Sequence, residues 1–289
     1  MSRSAVLALP LALALVGCGG SNSGGVPTDP SPPSGTARLY VDDVFATSEQ
    51  LPALQYGSAL PAGGSSPVPL LLDLYRPAGD TRASRPVIVW IHGGGFVSGT
   101  RADPAMVELC RRLARKGYVT ASITYRLRTS AQQQADSTGA YLDAVADAKA
   151  AVRWLRSQAN VYGLDTARIA IGGGSAGAFA ALGAAHLEAE GSSGSPGWSS
   201  QVDAVVDFWG GLPDLSQLDA GEAPALIIHG TADATVPFSS GEALFARAQA
   251  VGVPSEFRPL QGAPHGFWSP MDQYVGWIAP FLRLHLGLP

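Results

Sequence analysis

Ser175 stands in Gly173-Gly174-Ser175-Ala176-Gly177, a G-x-S-x-G spacing in which glycines remove the side chains that would crowd a serine pushed out of a tight strand-to-helix turn. At the start of a helix, its hydroxyl would sit among backbone N–H groups that stabilise negative charge developing beside it. A second signal, His92-Gly93-Gly94-Gly95-Phe96, directly follows the apolar run Val87–Ile91. Three glycines let backbone amides approach a substrate oxygen closely. Ester hydrolysis passes through a tetrahedral oxyanion, and losing one donor to it costs about 3–4 kcal/mol of barrier. The two motifs together predict acyl transfer on Ser175. One competing pattern uses the same glycines: Gly172, Gly174 and Gly177 also fit G-x-G-x-x-G, the dinucleotide fingerprint of an oxidoreductase. That fingerprint belongs in the first strand-helix unit, with an acid about 20 residues on at the next strand end. Here it comes late, Gly191–Ser200 fills the place of that strand, and the HGGG run would have no purpose.

Such loops need rigid elements beneath them. Apolar periodicity predicts strands at Leu39–Phe45, Leu70–Tyr75, Val87–Ile91, Tyr118–Thr124, Arg168–Ile171, Val202–Val206, Ala225–Ile228 and Glu256–Leu260. Helices are expected at Pro104–Lys116, Tyr141–Ser157, Ser175–Glu190, Gly241–Val251 and Met271–Leu286. An antiparallel start followed by alternating strands and helices implies an α/β fold: a mostly parallel sheet covered on both faces, with ligand sites beyond the strands' carboxyl ends. Each motif falls at such an end.

On these residues the chain resembles the α/β-hydrolase esterases and lipases that carry HGGG, the hormone-sensitive-lipase-like and related carboxylesterase groups. The likeness runs from about Leu70 onward and includes Leu72-Asp73-Leu74-Tyr75-Arg76-Pro77, HGGGF, the serine turn and Pro264-His265-Gly266-Phe267. It implies a Ser, Asp, His triad in that chain order, with the N–H groups of Gly94, Gly95 and Ala176 as the oxyanion hole and His92 as a structural member of its loop. The order can be tested, because a serine hydroxyl needs an imidazole to take its proton. Four histidines follow Ser175. His186, inside the helix, and His285, in the last one, are expected at the surface, while His229 caps a strand; His265, in a Pro- and Gly-flanked polar loop, is the expected base. Asp233, on the loop after the strand ending at Ile228, is the expected orienting acid. Its rival Asp207 ends the preceding strand, where solvation is the ordinary expectation.

The 289 residues are 46% hydrophobic and 15% charged, enough for one large core without metals or disulfides as staples. A net charge of -4 argues against a nucleic-acid partner. The basic cluster Arg111, Arg112, Arg115 and Lys116 closes a helix and reads as a solvated face. Arg3 and the apolar run Ala5–Val16, too short to span a bilayer, lead to Leu15-Val16-Gly17-Cys18, which resembles the lipobox of bacterial lipoproteins. Three segments are therefore expected: a leader at 1–18 with Cys18 receiving the lipid, a Gly/Ser/Pro spacer at 19–36, and a catalytic domain at 37–289. The protein would be exported and anchored to a bacterial membrane, facing the periplasm or the exterior. In that case Cys18→Ala should move it to the soluble fraction, and unchanged membrane fractionation would refute the anchor. Cys110 then has no intrachain partner and reads as a buried small hydrophobe.

No cluster has metal-ligand spacing, and no cofactor is expected. Only 57 residues separate Ser175 from Asp233, and the elements expected there nearly use them up, so little remains for a lid. The stretch before HGGG also reads as β rather than as a helical cap. An open site follows, suited to a short acyl group and a bulky aryl or sugar alcohol. Phe96, Trp209, Phe267 and Trp268 flank the motifs and are candidates for its walls, packing being the alternative. Two rivals share these residues: an amidase or peptidase, and a surface-binding lipoprotein that keeps the fold without catalysis.

Overall fold

A computed structural model of the chain describes residues 37–289; the leader, Cys18 and the spacer lie outside the described residues. Eight strands form one sheet: β1 (Ser48–Ala59), β2 (Val68–Pro77), β3 (Arg85–Ile91), β4 (Val119–Ile123), β5 (Leu164–Gly174), β6 (Ala204–Phe208), β7 (Ala225–Gly230) and β8 (Ser255–Leu260). The helices are α1 (Pro104–Arg115), α2 (Ser130–Ala135), α3 (Ser137–Ser157), α4 (Ala159–Tyr162), α5 (Ala176–His186), α6 (Phe238–Val251) and α7 (Met271–His285). Strand order is β1-β2-β4-β3-β5-β6-β7-β8, antiparallel through β1, β2 and β4 and parallel from β4 onward.

Strand alternation divides the core into two layers. Val87, Val89, Ile91, Ile169, Ile171, Val205 and Ile227 face α3, α5 and α6, while Ile88, Trp90, Ala170, Val206, Phe208 and Ile228 face α1 and α7. All seven residues of β3 are buried, which is why it reads as a continuous apolar run. From β3 the chain steps to β4 on one side and then crosses to β5 on the other. The crevice between the ends of β3 and β5 is thus a switch point, where open α/β sheets bind ligands. The HGGG loop leaves β3 there, and the serine turn leaves β5.

Several expectations change. Leu39–Phe45 forms turns rather than a strand: Tyr40, Val44 and Phe45 donate N–H bonds to the Lys116 and Arg115 carbonyls, closing the end of α1, and Tyr40 packs on Tyr118 with ring centroids 5.2 Å apart. The first strand is instead β1, an edge strand with bulges and no continuous buried side. The basic cluster is largely paired rather than simply solvated, since Arg115 and Lys116 each lie 2.7 Å from Asp43 and Arg112 pairs with Glu108 and Asp272. Cys110 is fully buried, and burial pushes its thiol up to about 12. The region of Gly191–Ser200 holds no strand, so the acid-bearing strand of a dinucleotide site is missing among the described residues.

Asp207 departs most from expectation. Rather than being solvated, it is wholly buried at the end of β6; Oδ1 accepts the Gly210 N–H at 2.8 Å, and Oδ2 has no partner among the described residues. Burial pushes this carboxyl up to about 7, with the single hydrogen bond opposing it only in part. The unfolded chain releases that proton near pH 4 while the folded protein keeps it. Stability should therefore fall as pH rises from about 4 to about 7, by a difference on the order of 4 kcal/mol. Asp207→Asn keeps the bond to Gly210 and should remove this component. Parallel thermal-midpoint curves for the two proteins over pH 4–8 would refute the assignment.

Candidate active site

The turn after β5 places Ser175 at φ 55°, ψ -125°, a strained conformation held because its surroundings leave no alternative. Its N–H donates to the Phe208 carbonyl at 2.9 Å, tying the turn to β6. The glycines answer close approach. A Cβ on Gly177 would come within 2.1 Å of the Ile91 carbonyl oxygen, and one on Gly173 within 2.5 Å of the Gly177 backbone. A side chain at either position would force the helix off the sheet.

The HGGG loop meets this turn edge to edge: a Cβ on Gly93 would lie 2.9 Å from the Gly174 oxygen. Gly94 and Gly95 take φ 106° and 61°, a region open to glycine. The Gly94 carbonyl accepts from the N–H groups of Val97 and Ser98, while the N–H groups of Gly94 and Gly95 have no acceptor among the described residues. Ala176 opens α5 and contributes one of the orphan amides of a helix N-terminus. His92 does not approach Ser175. It is buried, with Nδ1 2.8 Å from the Gly93 oxygen and its ring stacked on Tyr125 at 4.4 Å, so it braces the loop.

His265, on the loop after β8, lies with Nε2 2.9 Å from Ser175 Oγ and Nδ1 2.7 Å from Asp233 Oδ2. The three expected side chains, from three loops and 90 residues apart in the chain, thus form one hydrogen-bonded line. Asp233 is held from behind: Oδ1 accepts the N–H groups of Thr235 and Val236 at 2.8 and 2.9 Å. Burial raises its carboxyl, but the hydrogen bonds from His265, Val236 and Thr235 outweigh burial and hold it below the ordinary value. The side chain is sealed from solvent, whereas His265 remains 21% exposed on the substrate side. The acid and base loops are stitched together, Thr231 and Ala232 donating N–H bonds to the Leu260 and Ala263 carbonyls.

Ser175 lines one of two clefts distinguished by their walls. One of about 480 Å³ is bounded by Gly93–Gly95, Ser175, His265, Met106, Trp209 and Trp268; Trp209 and Trp268 pack at 4.6 Å, and Trp209 stands edge-on to His265. A neighbouring apolar cleft of about 450 Å³ is walled by Phe96, Tyr141, Leu142, Phe179, Leu212 and Pro213. Phe96 therefore belongs to the second cleft. Phe267 borders neither and is exposed, its carbonyl accepting the Tyr274 hydroxyl, so its expected role as a wall is not met. His186 was expected at the surface. Its side chain is instead fully buried, Nδ1 2.6 Å from Glu222 Oε2, and burial pushes the ring down to about 4. His285 is half-buried against Phe281. Among the described residues, no group of side chains could hold a metal ion.

Sequence reasoning read His229 only as a strand cap. It is buried beneath the acid loop, with Nε2 3.0 Å from the Val236 oxygen and 3.4 Å from Asp233 Oδ2. The apolar run of β7 and the four-residue spacing to Asp233 were the available signals.

Compared with known proteins, the chain matches the BD-FAE family over residues 72–221, just over half its length, and the prolyl oligopeptidase family over 207–284. It is 28% identical to Esterase LipC of Mycobacterium tuberculosis over 240 residues, 68% of this chain and 57% of that protein. It is 30% identical to the Fumonisin B1 esterase of Sphingopyxis macrogoltabida over 165 residues, 52% of this chain and 29% of that protein. The chain thus spans little more than half the length of one of these relatives and less than a third of the other. Among solved structures, a thermophilic esterase of Thermogutta terrifontis superposes with TM-score 0.64 at 30% identity, covering 76% of this chain and 89% of that one. The same esterase phosphorylated by paraoxon gives 0.68 at 27%, covering 83% and 95%. With the HGGG loop and the serine turn both inside the matched region, the chain belongs to the BD-FAE family, in the α/β-hydrolase fold of these esterases.

Proposed function

We propose that this protein is a serine esterase that hydrolyses carboxylic esters through an acyl-enzyme, with Ser175 as nucleophile, His265 as base and Asp233 as the acid that orients it. The observation that carries the reading is the unbroken line from Ser175 Oγ through His265 to Asp233. With Asp233 charged, His265 carries its proton on Nδ1 and leaves Nε2 free to take the serine proton as Oγ attacks the ester carbon. The N–H groups of Gly94, Gly95 and Ala176 serve the oxyanion. The proton then passes from Nε2 to the departing alcohol oxygen, and water, deprotonated by the same ring, releases the acid. That the Thermogutta esterase is phosphorylated by paraoxon supports an activated nucleophile in this architecture.

The substrate we assign joins a short acyl group to a bulky or aryl alcohol. Between α5 and Asp233 the described chain has strands, turns and one short 3-10 helix, but no helical lid. The relative has also been solved with propionate and with butyrate bound. The cleft walled by Phe96, Tyr141 and Phe179 offers aromatic faces and an apolar volume for the larger arm. The match of 207–284 to the prolyl oligopeptidase family favours an amidase or peptidase as the second reading, which would use the same three residues. Parallel assays on matched ester and amide substrates and on nitrophenyl esters of increasing chain length decide among these. We expect esters to turn over at least about 10²-fold faster than amides and acetate or butyrate to exceed long chains. Faster amide cleavage, or a preference for long chains, overturns the corresponding part.

Anchoring through Cys18 to a bacterial membrane remains our assignment for the leader. In this assignment the lipid on Cys18 carries the attachment; among the described residues, no helix is long and apolar enough to cross a membrane.

A further inference from the structure

We infer that His229 is a positioning residue for the Asp233 carboxylate, a buried donor that fixes the acid loop from the side opposite His265. The inference rests on the esterase reading above. His229 ends the buried run of β7, is 0% exposed, and has no path to a substrate in either cleft.

Its protonation follows from its neighbours. Nε2 lies 3.0 Å from the Val236 carbonyl oxygen, which can only accept, so Nε2 carries the hydrogen. Nδ1 is buried without a partner among the described residues. It lies near Gly241, whose Cβ, if present, would come within 3.0 Å, and the ring stands edge-on to Phe238 at 5.9 Å. The ring therefore donates through Nε2.

The geometry gives that donor a consequence. Val236 supplies one of the two N–H groups that hold Asp233 Oδ1, so tying down its carbonyl fixes the residue that fixes the carboxylate. The same Nε2 stands 3.4 Å from Asp233 Oδ2, the atom that receives His265 Nδ1 at 2.7 Å. An N–H there biases the direction of Oδ2. A histidine that merely filled core volume would need only its shape.

The test separates shape from donor. His229→Gln keeps an N–H at a similar reach, and His229→Leu keeps bulk without it. With esters as substrate, His229→Leu should lower kcat roughly tenfold with KM within about twofold, since small misplacements of catalytic groups act on the chemical step. His229→Gln should recover kcat to within about threefold of the parent protein. Two folded variants that are equally impaired, or a Leu variant with unchanged kcat, overturn the inference. If the Leu variant does not fold, the 15N spectrum of the ring in the parent protein decides: a hydrogen on Nε2 supports the assignment, and a ring with its hydrogen on Nδ1 only overturns it. Should the esterase reading itself fail, the parent protein turns over no ester, and the tautomer still tests the donor.

Discussion

Ser175→Ala is expected to lower kcat by a factor on the order of 10⁵–10⁶ while leaving KM within a few fold, and to leave the folded structure in place. The substitution removes one atom, Oγ, which lies 2.9 Å from His265 Nε2 and in the proposed mechanism makes the bond to the substrate carbon. Knocking out the nucleophile of a triad costs about as much as removing the whole set, because base and acid have nothing to activate without it. A residual rate of roughly 10³–10⁴ over water should survive if the amides of Gly94, Gly95 and Ala176 stabilise the oxyanion independently. Alanine has to adopt the same φ of 55° as serine, so the turn's strain is nearly unchanged and thermal midpoints should agree closely. Kinetics on a short nitrophenyl ester and covalent labelling by an organophosphonate read the two sides of this claim. A variant that retains more than about 1% of kcat, or still takes up the phosphonate at its active site, would remove Ser175 from the chemistry.

The parts of the fold visible in advance were those whose environment imposes one simple pattern. Buried parallel strands such as β3 are apolar throughout, and α1 carries its Asp103 cap and apolar stripe openly. β1 escaped because an edge strand with half of its residues exposed has no hydrophobic period, and its bulges break what alternation remains. Leu39–Phe45 misled for the converse reason: its apolar residues are there to cover the end of α1, which needs hydrophobic area but not an extended backbone.

Within the site, Ser175, Asp233 and His265 could be picked out because each stands on a glycine- or proline-bounded loop following a strand. What composition could not tell was burial of polar groups in three dimensions. Asp207 and Asp233 both follow apolar runs, yet one is sealed with a single donor and the other is met by two backbone amides and an imidazole. His186 reads as the polar face of a helix until Glu222, 36 residues away, is seen to cover it. Phe96 and Trp209 read alike as neighbours of the motifs, yet the two rings face different clefts.

Asp233→Asn is the second large effect, about 10⁴-fold in kcat by analogy with other triads, and it isolates charge and tautomer from shape. The asparagine oxygen can keep the Thr235 and Val236 bonds now made by Oδ1, so its amide nitrogen takes the place of Oδ2. An N–H₂ group there can only donate toward His265 Nδ1, which forces that nitrogen to accept and moves the ring's proton to Nε2. From Nε2 the ring would then donate to Ser175 Oγ instead of receiving its proton, and the nucleophile is left unactivated. The same amide turns toward the Nε2 hydrogen of His229, donor against donor, which adds a small loss of loop order. Because hydrogen bonds hold the Asp233 carboxyl below the ordinary range, the parent protein keeps this charge where an ordinary aspartate would begin to lose it. Asp207→Asn provides the contrast: an equally buried carboxylate at the end of β6, outside the hydrogen-bonded line, whose loss should leave kcat within about twofold. If both asparagine variants reduce kcat alike, the distinction between these two acids disappears, and with it the claim that orientation of His265 by Asp233 drives the reaction.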